Sequence, residues 1–230
     1  MESVITVRNL RKSYGENLVL DGVNLEVARG EVLGIVGPNG VGKSTLLRII
    51  AGVEGYDSGY VHVRGRVGLV PQETILLPWK TLRGNALLAA RISGLPREVA
   101  EARIEELADI LGITGYLDMH PSQVSGGTAR KAQIMMMLVL EPDILLLDEP
   151  FTGLDVNSIA ALQESILKLK RKGLTMVVVS HMISELASIA DRIAFLTHRP
   201  ARVSRILDVR GLSRGELAAE LFRGLVNDEV

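Results

Sequence analysis

The sequence predicts an α/β fold with a mostly parallel sheet, a small antiparallel β subdomain and an inserted helical subdomain. Three observations carry this. Nearly continuous apolar runs at 32–36, 67–70, 144–147, 176–179 and 193–196 suit a parallel sheet covered on both faces. Alternating apolar and polar residues at 4–7, 23–27 and 60–63, the last after a turn at 56–59, suit half-exposed antiparallel strands. Between the second and third apolar runs, about 81–140 reads as mainly helical, so the helices form a lobe inserted into an alternating α/β chain.

Taken in order, the first informative junction follows the strand at 31–36. Gly37-Pro38-Asn39-Gly40-Val41-Gly42-Lys43-Ser44-Thr45 fits G-x-x-x-x-G-K-[ST], the phosphate-cradling loop of a P-loop NTPase core. Glycines let backbone N–H groups close around a polyphosphate, Lys43 reaches the β- and γ-phosphates, and the Ser44 hydroxyl ligates Mg²⁺. A helix over 45–50 turns its positive dipole end toward the anion.

In the lobe, Ala100, Ile104, Leu107, Ala108 and Leu111 mark one buried helix face, with Glu101, Arg103, Glu105 and Glu106 outside. Ala132, Met135, Met136, Val139 and Leu140 repeat the pattern, and the Met135–Met137 cluster reads as core filler. The strand at 144–147 then delivers Asp148-Glu149 at its C-terminal end, the edge where open α/β sheets bind ligands. One carboxylate there holds Mg²⁺ and its neighbour polarises a water for in-line attack on the γ-phosphate. Asp-Glu-Pro is equally a common strand-to-loop turn. The expected organisation is a single domain over 1–230. A core at 1–75 plus 141–210 is interrupted by the helical subdomain at 76–140 and followed by a helical tail at 211–230.

The chain has 230 residues, 47% of them hydrophobic, enough for one large domain. Its longest apolar run, 134–140, falls far short of the roughly 18 residues that span a bilayer. The start shows no secretory signal, so a cytoplasmic location is expected. No cysteine is present, which excludes disulfides and thiolate metal sites, and 26 basic against 27 acidic residues give no broad positive field for nucleic acid.

Four further stretches resemble the ATP-binding subunits of ATP-binding-cassette (ABC) transporters, and the likeness covers almost the whole chain. Gln72 stands where that family has its Q-loop glutamine, and Val124-Ser125-Gly126-Gly127-Thr128 is similar to its L-S-G-G-Q signature. Phe151-Thr152-Gly153-Leu154-Asp155 is similar to its D-loop, and His181 stands at its switch histidine. Tyr14, 23 positions before Gly37, resembles the aromatic residue that stacks on adenine; packing on the small sheet is the alternative.

The resemblance implies ATP and Mg²⁺ as cofactors and a homodimer holding two nucleotides between its chains. In that arrangement Ser125, Gly126 and Gly127 complete the partner's site, and Asp155 lies at the interface. Gln72 contacts Mg²⁺ or the attacking water, and His181 the γ-phosphate. Read without the resemblance, Ser125 is a helix cap and Gln72 a solvated turn residue. Val124, Thr128, Ala129-Arg130-Lys131 and Thr152-Gly153 depart from the family pattern, which implies weaker dimer closure or lower turnover.

Pro78-Trp79-Lys80-Thr81-Leu82 and Arg199-Pro200-Ala201-Arg202 are similar to P-W-x-T-V and R-P-G-R of the nitrate, sulfonate and taurine importers. The implied protein is a peripheral ATPase on the inner membrane face, bound to permease subunits and served indirectly by an extracytoplasmic solute-binding protein. An exporter subunit and a soluble non-transport ABC ATPase are the alternatives. Trp79 is either a core anchor or part of the docking surface.

Overall fold

The computed structural model describes residues 2–212. The tail expected at 211–230 therefore lies, beyond Leu212, outside the described residues. In chain order the elements are β1 (Ser3–Tyr14), β2 (Asn17–Ala28), β3 (Val32–Val36), α1 (Lys43–Ile50), β4 (Ser58–Val63), β5 (Val67–Val70), α2 (Leu82–Ile92), α3 (Arg97–Leu111), α4 (Gly126–Leu138), β6 (Ile144–Asp148), α5 (Val156–Arg171), β7 (Thr175–Ser180), α6 (Ile183–Leu186), β8 (Arg192–Leu196) and β9 (Val203–Asp208).

Six strands form the main sheet in the order β5-β6-β7-β3-β8-β9, parallel except for the β8–β9 edge pair. Every residue of β3, β6 and β7 is buried, the outcome expected of uninterrupted apolar runs covered on both faces. Register then sets the site. Val36 lies beside Ser180, and Asp148 beside Val179, so the C-terminal ends of β3, β6 and β7 finish abreast.

β2, β1 and β4 form a separate antiparallel sheet. Both β1 and β2 run well past the alternating stretches at 4–7 and 23–27, because register shifts at Val7/Leu10 and Leu10/Arg11 break the period of two. Asn9 sits in the left-handed region with φ 47°, its amide held by Asn24 Oδ1 at 3.0 Å. β9 has no counterpart in the sequence reading. As the outer strand it alternates half-buried with exposed residues, so it lacks the apolar run that marks its neighbours.

α2, α3 and α4 stand between β5 and β6. Thr81 Oγ1 caps α2 through the Gly84 amide at 3.0 Å, and Gly112, at φ 67°, ends α3 in a left-handed cap. Ala100, Ile104, Ala108 and Leu111 are buried as expected, while Leu107 is half-buried. The apolar cluster runs without a break from Ala86 and Ile104 through Met135 to Leu145, Leu147 and Ile166, so the lobe shares one core with one face of the sheet. A second cluster on the opposite face joins β1, β2 and α1 to Ile35, Leu146 and Val179.

Candidate active site

The loop after β3 turns tightly at Gly40 (φ 73°) and Gly42 (φ 124°), conformations that side chains rarely adopt. A Cβ on Gly42 would also meet Val19 at 2.8 Å and Leu20 at 2.9 Å. Lys43, the first residue of α1, is buried; its Nζ donates to the carbonyls of Gly37 (2.9 Å) and Pro38 (3.0 Å) and lies 3.2 Å from Glu149 Oε1. No side chain caps α1, so its first N–H groups are open to an anion.

β6 brings Asp148 to Ser44, whose hydroxyl donates to Oδ1 at 3.0 Å. Burial pushes the Asp148 carboxyl above the usual carboxylate range; the Ser44 hydrogen bond opposes the rise and the neighbouring Glu149 charge adds to it. Two buried carboxylates beside a hydroxyl are an oxygen-rich set in which Lys43 pairs with Glu149 and leaves the Ser44–Asp148 side to a cation. That fits Mg²⁺, which takes one or two carboxylates and completes its shell with phosphate and water. Ser44 and Asp148 would hold it.

Glu149 has left the strand conformation, with φ 46° and its amide donating to Val179 O at 3.1 Å. That local strain aims its carboxylate back across the sheet edge. Oε2 accepts from Thr152 Oγ1 at 3.3 Å and lies 2.9 Å from His181 Nδ1. A carboxylate only accepts, so Nδ1 carries the proton here.

A cleft of about 290 Å³ joins the phosphate loop to Gln72, Glu149, Thr152, His181 and Arg199. Thr152 and Arg199 entered the sequence reading only as members of the D-loop-like and R-P-G-R-like stretches, with no role at the cleft. Tyr14 is not among the residues lining this cleft. Its ring is exposed, its hydroxyl bonds Glu54, and Lys12 Nζ lies 4.8 Å above it. The signature also stands apart. Ser125 Oγ caps α4 through the Thr128 amide at 3.2 Å, while Asp155 caps α5 through the amides of Asn157 and Ser158, both at 3.0 Å. The two helix starts touch: a Cβ on Gly127 would meet Ser158 Oγ at 2.7 Å.

One departure noted in sequence acquires structural meaning, and one open reading is decided. Arg130 is buried in α4 and donates to the carbonyls of Pro71 (2.8 Å) and Gln72, while Gln133 Nε2 donates to Glu73 O at 2.9 Å. Trp79 is 70% exposed, which overturns its reading as a core anchor. Buried Asn85 fixes the loop that carries it, exchanging hydrogen bonds with Leu77 N (2.7 Å) and Thr81 O (2.9 Å).

Comparison with known proteins agrees with this geometry. Residues 20–152 match the family described as ABC transporter. The chain belongs to that family. It is an ATP-hydrolysing cassette. An ABC transporter ATP-binding protein of Methanocaldococcus jannaschii is 34% identical over 222 residues, covering 91% of this cassette and 83% of the relative. The aliphatic sulfonates import ATP-binding protein SsuB of Bacillus licheniformis is 37% identical, covering 89% and 84%. The methionine import protein MetN of Brucella abortus is 34% identical, but the cassette spans only 58% of it. Among solved structures, a dimeric bacterial ABC transporter cassette superposes with a TM-score of 0.79 at 29% identity, covering 90% of this chain and all of that one. The ADP form of another ABC cassette gives 0.82 at 23% identity. No helix among the described residues is long and apolar enough to cross a membrane.

Proposed function

We propose that this cassette powers solute import through a separate membrane permease, with a sulfonate-, taurine- or nitrate-type anion as cargo. The observation that carries the reading is the exposed Trp79 on the Asn85-held loop that follows Gln72 in the chain, together with the similarity to sulfonate import proteins. Methionine import proteins match comparably, so cargo class is the first quantity to test.

In this proposal the phosphates of ATP take Lys43 away from Glu149, and the freed carboxylate polarises the attacking water. Ser44 and Asp148 would hold Mg²⁺, which would supply neutralisation of phosphate charge. His181 donates to a γ-phosphate oxygen, and Gln72 contacts the metal or the water. Tyr14 stacks on adenine. Two cassettes form a homodimer in which Ser125, Gly126 and Gly127 of one chain close over the nucleotide of the other, with Asp155 at the interface. The dimer sits peripherally on the inner face of the membrane, docked to the permease, with a solute-binding protein outside.

The test is purification from native membranes followed by vesicle uptake of taurine, an alkanesulfonate, nitrate and methionine. Co-purifying permease and ATP-dependent uptake of one of the first three support the reading; methionine uptake, or no membrane partner, overturns it. Trp79→Ala sharpens the docking role. Uptake and permease association should fall together while the melting temperature and basal ATPase rate stay near wild type.

A further inference from the structure

The loop between β8 and β9 carries a cation that none of the roles above uses. Arg199 lines the same cleft as Lys43, Glu149 and His181, yet its guanidinium makes no hydrogen bond or ion pair among the described residues. The cleft does not need it for internal balance, because Glu149 is already held by Lys43 and His181.

The loop is also held firmly. Thr197 and Arg202 exchange hydrogen bonds across it, Thr197 N to Arg202 O and Arg202 N to Thr197 Oγ1, both at 3.0 Å. Fully buried Ala201 pairs with β2 through Ala201 N to Val19 O at 2.8 Å and Asp21 N to Ala201 O at 3.0 Å. Arg202 pairs with buried Asp21, which Arg11 also approaches. Val19 and Leu20, the segment that receives this loop, are the residues packed against Gly42 of the phosphate loop. At the other end, a Cβ on Gly37 would meet Leu196 Cβ at 3.1 Å. Thus one β2 segment and the end of β8 support both loops, and Arg199 projects from the fixed hairpin into the phosphate end of the cleft.

We propose that Arg199 is a phosphate-contacting residue that recognises the γ-phosphate of ATP from within the same chain. A guanidinium supplies a planar fork of donors matched to phosphate oxygens. Charge added at the transferred phosphoryl group lowers the cost of the charge that spreads over it in the transition state. The contact distinguishes ATP from ADP, because it is absent once the γ-phosphate leaves. This inference rests on the assignment of Lys43 and Glu149 to the phosphate end of the site.

The test is isothermal titration of the full chain with MgADP and with the Mg²⁺ complex of AMP-PNP, a non-hydrolysable ATP analogue. Arg199→Ala should weaken AMP-PNP about tenfold and leave ADP within about twofold. Arg199→Lys should recover part of the loss, and both variants should keep the wild-type melting temperature because the side chain has no structural partner to lose. Equal weakening of both nucleotides, or no change in either, overturns the proposal. Lys43→Ala serves as the control for the underlying assignment. If it binds AMP-PNP normally, the phosphate-site reading has failed; if it weakens binding while Arg199→Ala does not, only the Arg199 inference has failed.

Discussion

Helix starts at the two ends of this cassette are built alike and left in opposite states. α1 begins after Gly42 with no side-chain cap, its N–H groups open and Lys43 waiting beside them. α4 begins at Ser125-Gly126-Gly127, where Ser125 already satisfies the Thr128 amide, and α5 is capped in the same way by Asp155. An uncapped helix start surrounded by glycine and lysine is prepared for an anion. A capped one is complete by itself and recruits an anion only when another surface brings it close. The difference matches the proposed division of the site, with one part assembled within a chain and the other completed by a second.

The assembled end is broken most severely at Glu149. Glu149→Gln keeps the shape of the side chain and removes the base, so steady-state hydrolysis should fall about a hundredfold or more while ATP binding persists. Trapped Mg-ATP should then hold two chains together on size-exclusion chromatography, and a near-wild-type rate would refute the role.

Subunit mixing sharpens the contrast between the ends. Ser125→Arg and Lys43→Ala homodimers should each be inactive. Mixed dimers should regain one site, pairing the intact Lys43 of the first chain with the intact Ser125 of the second, and so recover about half the wild-type rate. Absence of recovery in verified mixed dimers excludes sharing.

Ser125→Ala separates cap from contact. Loss of the cap alone should cost about 1 kcal/mol of stability and leave activity unchanged. A several-fold loss of ATPase activity at saturating ATP, with intact folding, assigns the hydroxyl to the shared site.

The smallest effect concerns the support of the β8–β9 loop. Arg202, through its hydrogen bond, holds the Asp21 carboxyl below the usual carboxylate range. A depressed folded-state value stabilises the fold above the unfolded carboxylate value, near pH 4, and that contribution is lost as pH falls through the folded one. Asp21→Asn should therefore lower the melting temperature at pH 7, and its deficit against wild type should shrink progressively below pH 4.

Legibility followed the range over which each feature is determined. The phosphate loop is encoded by nine consecutive residues, and Asp148-Glu149 by its place at the end of a fully buried run, so both were readable. Thr152 and Arg199 reach the cleft only because β6 and β8 end beside the loop, information carried by strand order rather than by any local pattern. β9 escaped for a related reason, as an edge strand whose exposed residues dilute its apolar signal. Trp79 lies in a turn without periodicity, so its exposure follows from the course of a loop whose backbone Asn85 holds. Arg130 looked like a defect in the signature. In the fold it is a hydrogen-bonding hub, because the backbone carbonyls of the Q-loop lie within its reach.

That hub joins two pieces of information arriving from different nucleotides. Arg130 and Gln133 lie on the helix that Ser125 caps, yet they grip the backbone of residues 71–73. In the proposed mechanism, a displacement of Gln72 toward a bound γ-phosphate would pull on α4 and so on the Ser125 end of that helix. On the proposed dimer, each chain's occupancy would bias the other chain's binding surface.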